Sequence, residues 1–192
     1  NYSKNSSTFG SKWKQKEFLT QEKIPEFFKN VPYSDIKVFE TLIDYLPEHS
    51  VLHMANSSVV RYCQLFDPIK SITYRSNRGT SGIDGSTSTA VGAAFIDPQT
   101  CHTLITGDIS FFYDSNALWN AYLPYNLRII MINNGGGGIF KIIPGPASTK
   151  QLEKFFEAHH HTTAEELCNA FDVGYFHAAS VFEIESQMAD FY

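Results

Sequence analysis

Two patterns of apolar residues alternate along the chain. Ile36, Phe39, Leu42, Ile43 and Leu46 fall on one helical stripe, with Ser34 as its N-cap and Pro47 as its stop. Val51-Leu52-His53-Met54 then reads as a short buried strand, and 57–66 as a second helix. Ile72-Thr73-Tyr74 predicts another strand, and a glycine-bearing loop over 77–85 leads into a helix of small residues over 86–95. Thr103-Leu104-Ile105-Thr106 predicts a strand ending in Gly107-Asp108, and 111–122 a helix. Leu127 to Ile132 is the most apolar strand and runs into Asn133-Asn134 and four glycines, Gly135 to Gly138. Thr163 with Glu166 suggests a capping box opening a helix that runs to Phe171. A strand over 175–178 and a helix over 181–192 complete the pattern.

Strands alternating with helices predict an α/β fold, a doubly wound parallel sheet with helices on both faces. Apolar strands without strict alternation agree with a sheet covered on both sides. Ligands in such sheets sit beyond the carboxyl ends of the strands, near a switch in strand order. Each unusual loop follows a predicted strand, so Asn56-Ser57, 77–85, Gly107-Asp108 and 133–138 are expected along one edge. Residues 1–33 carry too few recurrent apolar positions to bury a face and read as a polar linker or tail, with the domain over 34–192.

Composition narrows the function classes. At 192 residues, the length suits one domain with an appendage. Hydrophobic residues make up 43%, enough for a core and too many for a disordered chain. A net charge of −5 with no basic patch argues against nucleic acid as a partner. No apolar run reaches the roughly 18 residues of a membrane span, and the first 16 residues lack the apolar core of a signal peptide. Three separated cysteines, Cys63, Cys101 and Cys168, fit buried free thiols in a reducing cytoplasm.

The chemistry concentrates at two strand ends. Gly107-Asp108 closes one strand and Asn134 follows the next, 26 positions later. A carboxylate, an amide oxygen and backbone carbonyls are hard oxygen donors that suit Mg²⁺ or Ca²⁺, with phosphate oxygens completing the shell. Helix starts after Gly107 and Gly138 favour an anionic group at the same place. Singly, Asp108 reads as a helix cap and Asn133-Asn134-Gly135 as a turn. Four consecutive glycines after a buried strand are harder to explain that way, because glycine costs order and adds no packing.

Together these residues resemble the thiamine-diphosphate motif, in which Gly-Asp is followed about 25 residues later by Asn around a metal ion. The usual motif is Gly-Asp-Gly; here Ile109 stands third, a departure that one branch of the superfamily tolerates. The run 76–85 (SNRGTSGIDG), Gly107-Asp108-Ile109-Ser110 and 133–140 (NNGGGGIF) are similar to the MenD family. That family comprises the 2-succinyl-5-enolpyruvyl-6-hydroxy-3-cyclohexene-1-carboxylate synthases of menaquinone biosynthesis. Asn56-Ser57-Ser58-Val59-Val60-Arg61 is similar to it as well, so the resemblance covers roughly residues 36–145 in order.

The resemblance implies thiamine diphosphate and Mg²⁺ (or Mn²⁺) as cofactors. Asp108, the Asn134 side chain and the Gly136 carbonyl would hold the metal. Gly107 and Ser110 would touch the diphosphate, Ile83 would lie beneath the bent cofactor, and Ser57 and Ile139 would also border it. Asn56, Ser57, Arg61 and Arg78 would line the substrate site, with Ile139, Phe140 and Ile143 as its apolar wall. The family decarboxylates 2-oxoglutarate and joins the product to isochorismate; both carry carboxylates, which suit arginine forks. The family's activating glutamate lies on a separate domain, and no glutamate here sits in a matching motif. The resemblance therefore implies the carboxyl-terminal part of a cytoplasmic enzyme that works as a homodimer or homotetramer. It also implies a chain short of one further strand and inactive alone.

Two other readings stand beside it: an acetolactate-synthase-like carboligase, against which the 76–85 run and Ile109 argue, and a non-catalytic nucleotide-binding module. Neither G-x-G-x-x-G nor G-x-x-x-x-G-K-[ST] occurs in the chain. A fold-only domain that has lost its site is disfavoured by the intact Asp108 and Asn134. His159-His160-His161 reads as a solvated loop or helix end, since adjacent ring nitrogens on a helix diverge. Trp119 and Tyr122 with Leu118 read as core or interface, and Lys141 as a solvent-facing lysine.

Overall fold

The computed structural model describes residues 8–192, and residues 1–7 of the expected tail lie outside them. Four parallel strands, β1 (Val51–Met54), β2 (Thr73–Arg75), β3 (His102–Gly107) and β4 (Leu127–Ile132), form one sheet in the order β2-β1-β3-β4. Val51 pairs with Thr73 on one side and with His102 on the other, and His102 pairs with Leu127. The chain steps outward from β1 to β2 and then crosses back to β3. The switch in strand order therefore lies between the ends of β1 and β3.

Helices cover both faces. Side chains alternate along each strand, so Leu52, Ile105, Ile130 and Ile132 meet α3 (Asp35–Asp44), α4 (Ser58–Cys63) and α8 (Val181–Phe191). On the other face, Leu127, Ile129 and Met131 pack with residues of α5 (Ser86–Ile96), α6 (Asp108–Tyr113) and α7 (Glu165–Ala170). The expected stripe on α3 is realised through Phe39 and Leu42, which are almost fully buried. Arg128 of β4 fastens the end of α8, donating to the carbonyls of Phe191 and Tyr192. Burial pushes the Tyr192 phenol up to about 12, and its oxygen lies 3.1 Å from Thr103 Oγ1.

Other elements hold the ends of α5, whose N-cap, Gly85, has no side chain to offer. At its start the buried Asp114 carboxylate accepts from the Ser88 amide at 2.7 Å and from the Ser88 hydroxyl. Beyond its last turn the buried Asn126 amide donates to the carbonyls of Ala94, Asp97 and Thr100.

Several expectations need correction. Within the segment read as a polar linker or tail, two helices form, α1 (Phe9–Gln21) and α2 (Ile24–Asn30). Phe9 and Trp13 share a face of α1 while Phe18 points away from it, so no stripe forms and α1 buries nothing. The helix expected over 111–122 ends at Tyr113, followed by a 3₁₀ turn over Ser115–Leu118; Leu118 is buried, but Trp119 and Tyr122 are exposed and form no part of the core. No strand forms over 175–178. The Thr163 capping box does not form, because α7 starts at Glu165 without a side-chain cap. That geometry occurs instead at α8, where Ser180 Oγ accepts from the Glu183 amide and Glu183 Oε2 accepts from the Ala179 amide. Cys63 and Cys168 are buried, Cys101 is half-buried, and all three are free thiols. Burial pushes the Cys63 thiol up to about 12. Among the described residues no helix is long and apolar enough to cross a membrane.

Two measurements test this packing. His53 and His102 are buried under α5, with His53 Nε2 2.9 Å from His102 Nδ1. Burial, then the nearby His102 and Arg75, push the His53 imidazole down from 6.5 to about 4. The unfolded chain therefore takes up this proton first. The contribution of a neutral His53 to stability is complete above pH 6.5 and is lost as pH falls toward about 4. The His53 ring proton should titrate near 4 by NMR; a midpoint at or above 6.5 would contradict the burial argument. Asn126→Ala leaves three carbonyls without their donor and should lower unfolding free energy by about 1–3 kcal/mol in urea titrations.

Candidate functional site

The loops at the strand ends meet around a cleft of about 120 Å³ at the β1–β3 switch point. Among its lining residues are Asn56, Ser57, Ile83, Gly107, Asp108, Ser110, Asn134, Gly136 and Phe140. The other four residues implied by the resemblance do not line it. Arg61 and Arg78 are exposed, Ile139 is buried and Ile143 is half-buried.

Asp108 is the centre of the arrangement. Its side chain is only 3% exposed, so the carboxylate depends on hydrogen bonds rather than water. Oδ1 accepts from the Ile109 amide at 2.6 Å, and Oδ2 accepts from the amides of Gly135 and Gly136 at 2.8 and 3.0 Å. The end of β3 is thus tied to the turn after β4. His160 Nδ1 accepts from the Thr162 amide, so a neutral ring carries its hydrogen on Nε2. That nitrogen lies 3.3 Å from Asp108 Oδ2, without the alignment of a hydrogen bond.

The glycine run follows from close approach. Gly135 and Gly136 have φ of +81° and +150°, and a Cβ on Gly136 would lie 2.6 Å from the Glu157 carbonyl oxygen. The segment 157–160 lies along the run: the Glu157 carbonyl accepts from the Gly137 amide, and the Gly135 carbonyl accepts from the His160 amide. Lys141 faces solvent as expected and also pairs with the buried Glu157 carboxylate at 2.6 Å. Asn134 is exposed, and its amide nitrogen donates to Asp35 Oδ2 at 2.8 Å. The Gly136 carbonyl accepts from the Gly138 amide.

Asn56 organises the neighbouring loop. It is 1% exposed, and its amide donates to the carbonyls of Asn77 and Gly82 while accepting from Arg78 Nη1. Ser57, at the start of α4, adopts φ +72° and ψ −130°, a conformation costly for any side-chain-bearing residue. Its carbonyl accepts from Arg61 Nη1. The Ser110 hydroxyl donates to the Ile83 carbonyl at 2.8 Å, which ties the 77–85 loop to α6.

Sequence reasoning missed Asp35, Phe39 and Tyr62 as lining residues and His160 as a neighbour of Asp108. Burial, and secondarily the Asp35 charge, raise the Tyr62 phenol above its ordinary value. Asp35 lies 99 positions from Asn134, so no local spacing signals the pair. Among the described residues no three His, Cys, Asp or Glu side chains gather as a metal cluster. A metal in this cleft would therefore depend on an amide oxygen and a carbonyl beside Asp108.

No protein-family model matches the chain. Curated relatives do. A 2-succinyl-5-enolpyruvyl-6-hydroxy-3-cyclohexene-1-carboxylate synthase from Christiangramia forsetii is 49% identical over 172 residues, covering 90% of this chain and 30% of the relative. Synthases of the same name from Flavobacterium johnsoniae and Porphyromonas gingivalis are 52% and 44% identical, covering 83% and 86% of the chain. The chain spans about three tenths of the length of these relatives. Over the segment that it spans, the chain belongs to the 2-succinyl-5-enolpyruvyl-6-hydroxy-3-cyclohexene-1-carboxylate synthase family.

Proposed function

We propose that the chain is the diphosphate- and metal-binding part of such a synthase. In this reading the whole enzyme decarboxylates 2-oxoglutarate and joins the product to isochorismate, as a cytoplasmic homodimer or homotetramer that makes a menaquinone precursor. The observation that carries it is the buried Asp108 carboxylate in one cleft with Asn134 and Gly136, at the switch point of a parallel sheet.

The donor set fits a hard divalent ion, Mg²⁺ or Mn²⁺. A carboxylate has about four lone-pair sites. Asp108 Oδ2 already accepts two hydrogen bonds and Oδ1 one, so Oδ1 keeps capacity for a metal. The Asn134 amide oxygen and the second lone pair of the Gly136 carbonyl would complete the protein's share. Thiamine diphosphate, when bound, supplies the nucleophilic carbon and the electron sink.

The chain's own residues position and neutralise. Gly107 offers no side chain where a phosphate would approach, and the Ser110 hydroxyl, whose one hydrogen goes to the Ile83 carbonyl, would have to turn from it to donate to a phosphate oxygen. Ser110 also holds Ile83 at the cleft through its carbonyl, which supports Ile83 as the apolar support under the cofactor. Arg61 and Arg78 each spend one guanidinium nitrogen on a local oxygen. The remaining donors stay available for substrate carboxylates. Phe140, packed on Phe156 with ring centroids 5.4 Å apart, supplies apolar wall, to which the resemblance adds Ile139 and Ile143.

Calorimetric titration with thiamine diphosphate, with and without Mg²⁺, tests the reading. The chain should show metal-dependent binding that Asp108→Ala removes. Asp108→Asn, which keeps the shape and loses the charge, should weaken it by at least about tenfold. Binding unchanged in both variants would sink the metal assignment. The purified chain should show no turnover of 2-oxoglutarate with isochorismate, because no glutamate of the chain sits in a matching motif and none lines the cleft among the described residues. Turnover by the chain alone would refute that division of labour.

A further inference from the structure

We infer that Asp35 is a positioning residue for the metal site: it holds the Asn134 side chain so that its amide oxygen, and not its nitrogen, is available to a metal. The inference rests on the metal reading above and adds a residue to it.

Asp35 Oδ2 accepts from Asn134 Nδ2 at 2.8 Å, and both side chains line the cleft that contains Asp108. An amide side chain can present either end to a partner. A carboxylate only accepts, so it admits only the nitrogen end. With Nδ2 fixed on Asp35, Oδ1 is left as the free donor atom. Asn134 needs this constraint, because it is exposed and follows directly on the end of β4. A solvated amide would otherwise rotate between orientations, and only one presents oxygen.

Asp35 is well placed for the task. It occupies the first turn of α3, where a carboxylate is favoured by the helix N-terminus. α3 is itself fixed by the deeply buried Phe39 and Leu42, so the carboxylate stands on a rigid element. Asp35 supplies no metal contact; it acts through Asn134.

The test measures Mn²⁺ affinity of the full chain by electron paramagnetic resonance, in the presence of thiamine diphosphate. Circular dichroism serves as a check of folding. Asp35→Ala should raise the Mn²⁺ Kd about tenfold with an unchanged spectrum. Asn134→Asp sets two carboxylates face to face and should bind Mn²⁺ at least as poorly. The exchanged pair, Asp35→Asn with Asn134→Asp, restores a donor facing an acceptor and should return to within about threefold of the starting affinity. A merely structural role for Asp35 would not produce that rescue. If Asp35→Ala binds Mn²⁺ normally while Asp108→Ala does not, the positioning role is overturned and the metal site stands. An exchanged pair no better than Asn134→Asp alone also overturns it. If Asp108→Ala binds normally too, the metal reading itself falls, and this inference with it.

Discussion

The site depends on how a buried carboxylate is kept satisfied. An ionised Asp108 taken out of water would cost several kcal/mol if left unpaired. Three backbone amides, from Ile109, Gly135 and Gly136, make up for that loss. Two of them come from the turn after the neighbouring strand. The carboxylate can therefore be buried only when β3 and β4 end side by side and their loops fold toward each other. The parallel pairing of Gly107 with Ile132 sets that arrangement. Sheet register and site geometry are in this sense one constraint.

The constraint extends outward through backbone contacts rather than side-chain packing. For the Gly135 and Gly136 amides to face Asp108, both residues adopt positive φ, and Gly136 comes so close to Glu157 that no Cβ fits. This approach lets 157–160 lie along the glycine run, where the Lys141–Glu157 ion pair closes the contact from the side. On the opposite wall, Asn56 has a comparable role. Its single buried amide gathers two carbonyls and a guanidinium of the loop after β2. Each wall is thus an irregular loop held by a few polar groups, which is how catalytic and binding loops are commonly mounted on a rigid sheet.

Much of this was legible in the sequence, for physical reasons. Strands covered on both faces carry apolar residues without strict alternation, as at Val51-Leu52, Leu104-Ile105 and Ile129-Ile130, so β1, β3 and β4 stood out, and topology then put their C-terminal loops on one edge. Eight of the residues singled out after those strands line the cleft, and Ile83, on the loop after β2, makes nine. What stayed hidden depends on tertiary contact or on weak local signals. α1 has no apolar stripe, so periodicity could not mark it as a helix. Thr163 and Glu166 have the spacing of a capping box, yet the helix starts later, while Ser180 and Glu183, at the same spacing, do cap α8. Asp35 and His160 reach the site from distant stretches, and nothing in their own neighbourhoods announces it.

Strain at Ser57 joins fold and site. A serine at φ +72° and ψ −130° is held against its own preference, at a cost of order 1–3 kcal/mol. Glycine would relieve that cost, so a purely structural turn had a cheaper solution. The residue sits at the switch point, between the buried Asn56 and the buried first turn of α4, and it lines the cleft. The conformation sends the Ser57 carbonyl to Arg61, which fixes one nitrogen of that guanidinium at the mouth of α4. The strained turn thereby couples the end of β1 to a cationic side chain of α4. Stability alone gives no reason for that strain, which instead holds the end of β1, the start of α4 and the Arg61 guanidinium in one fixed arrangement beside the cleft.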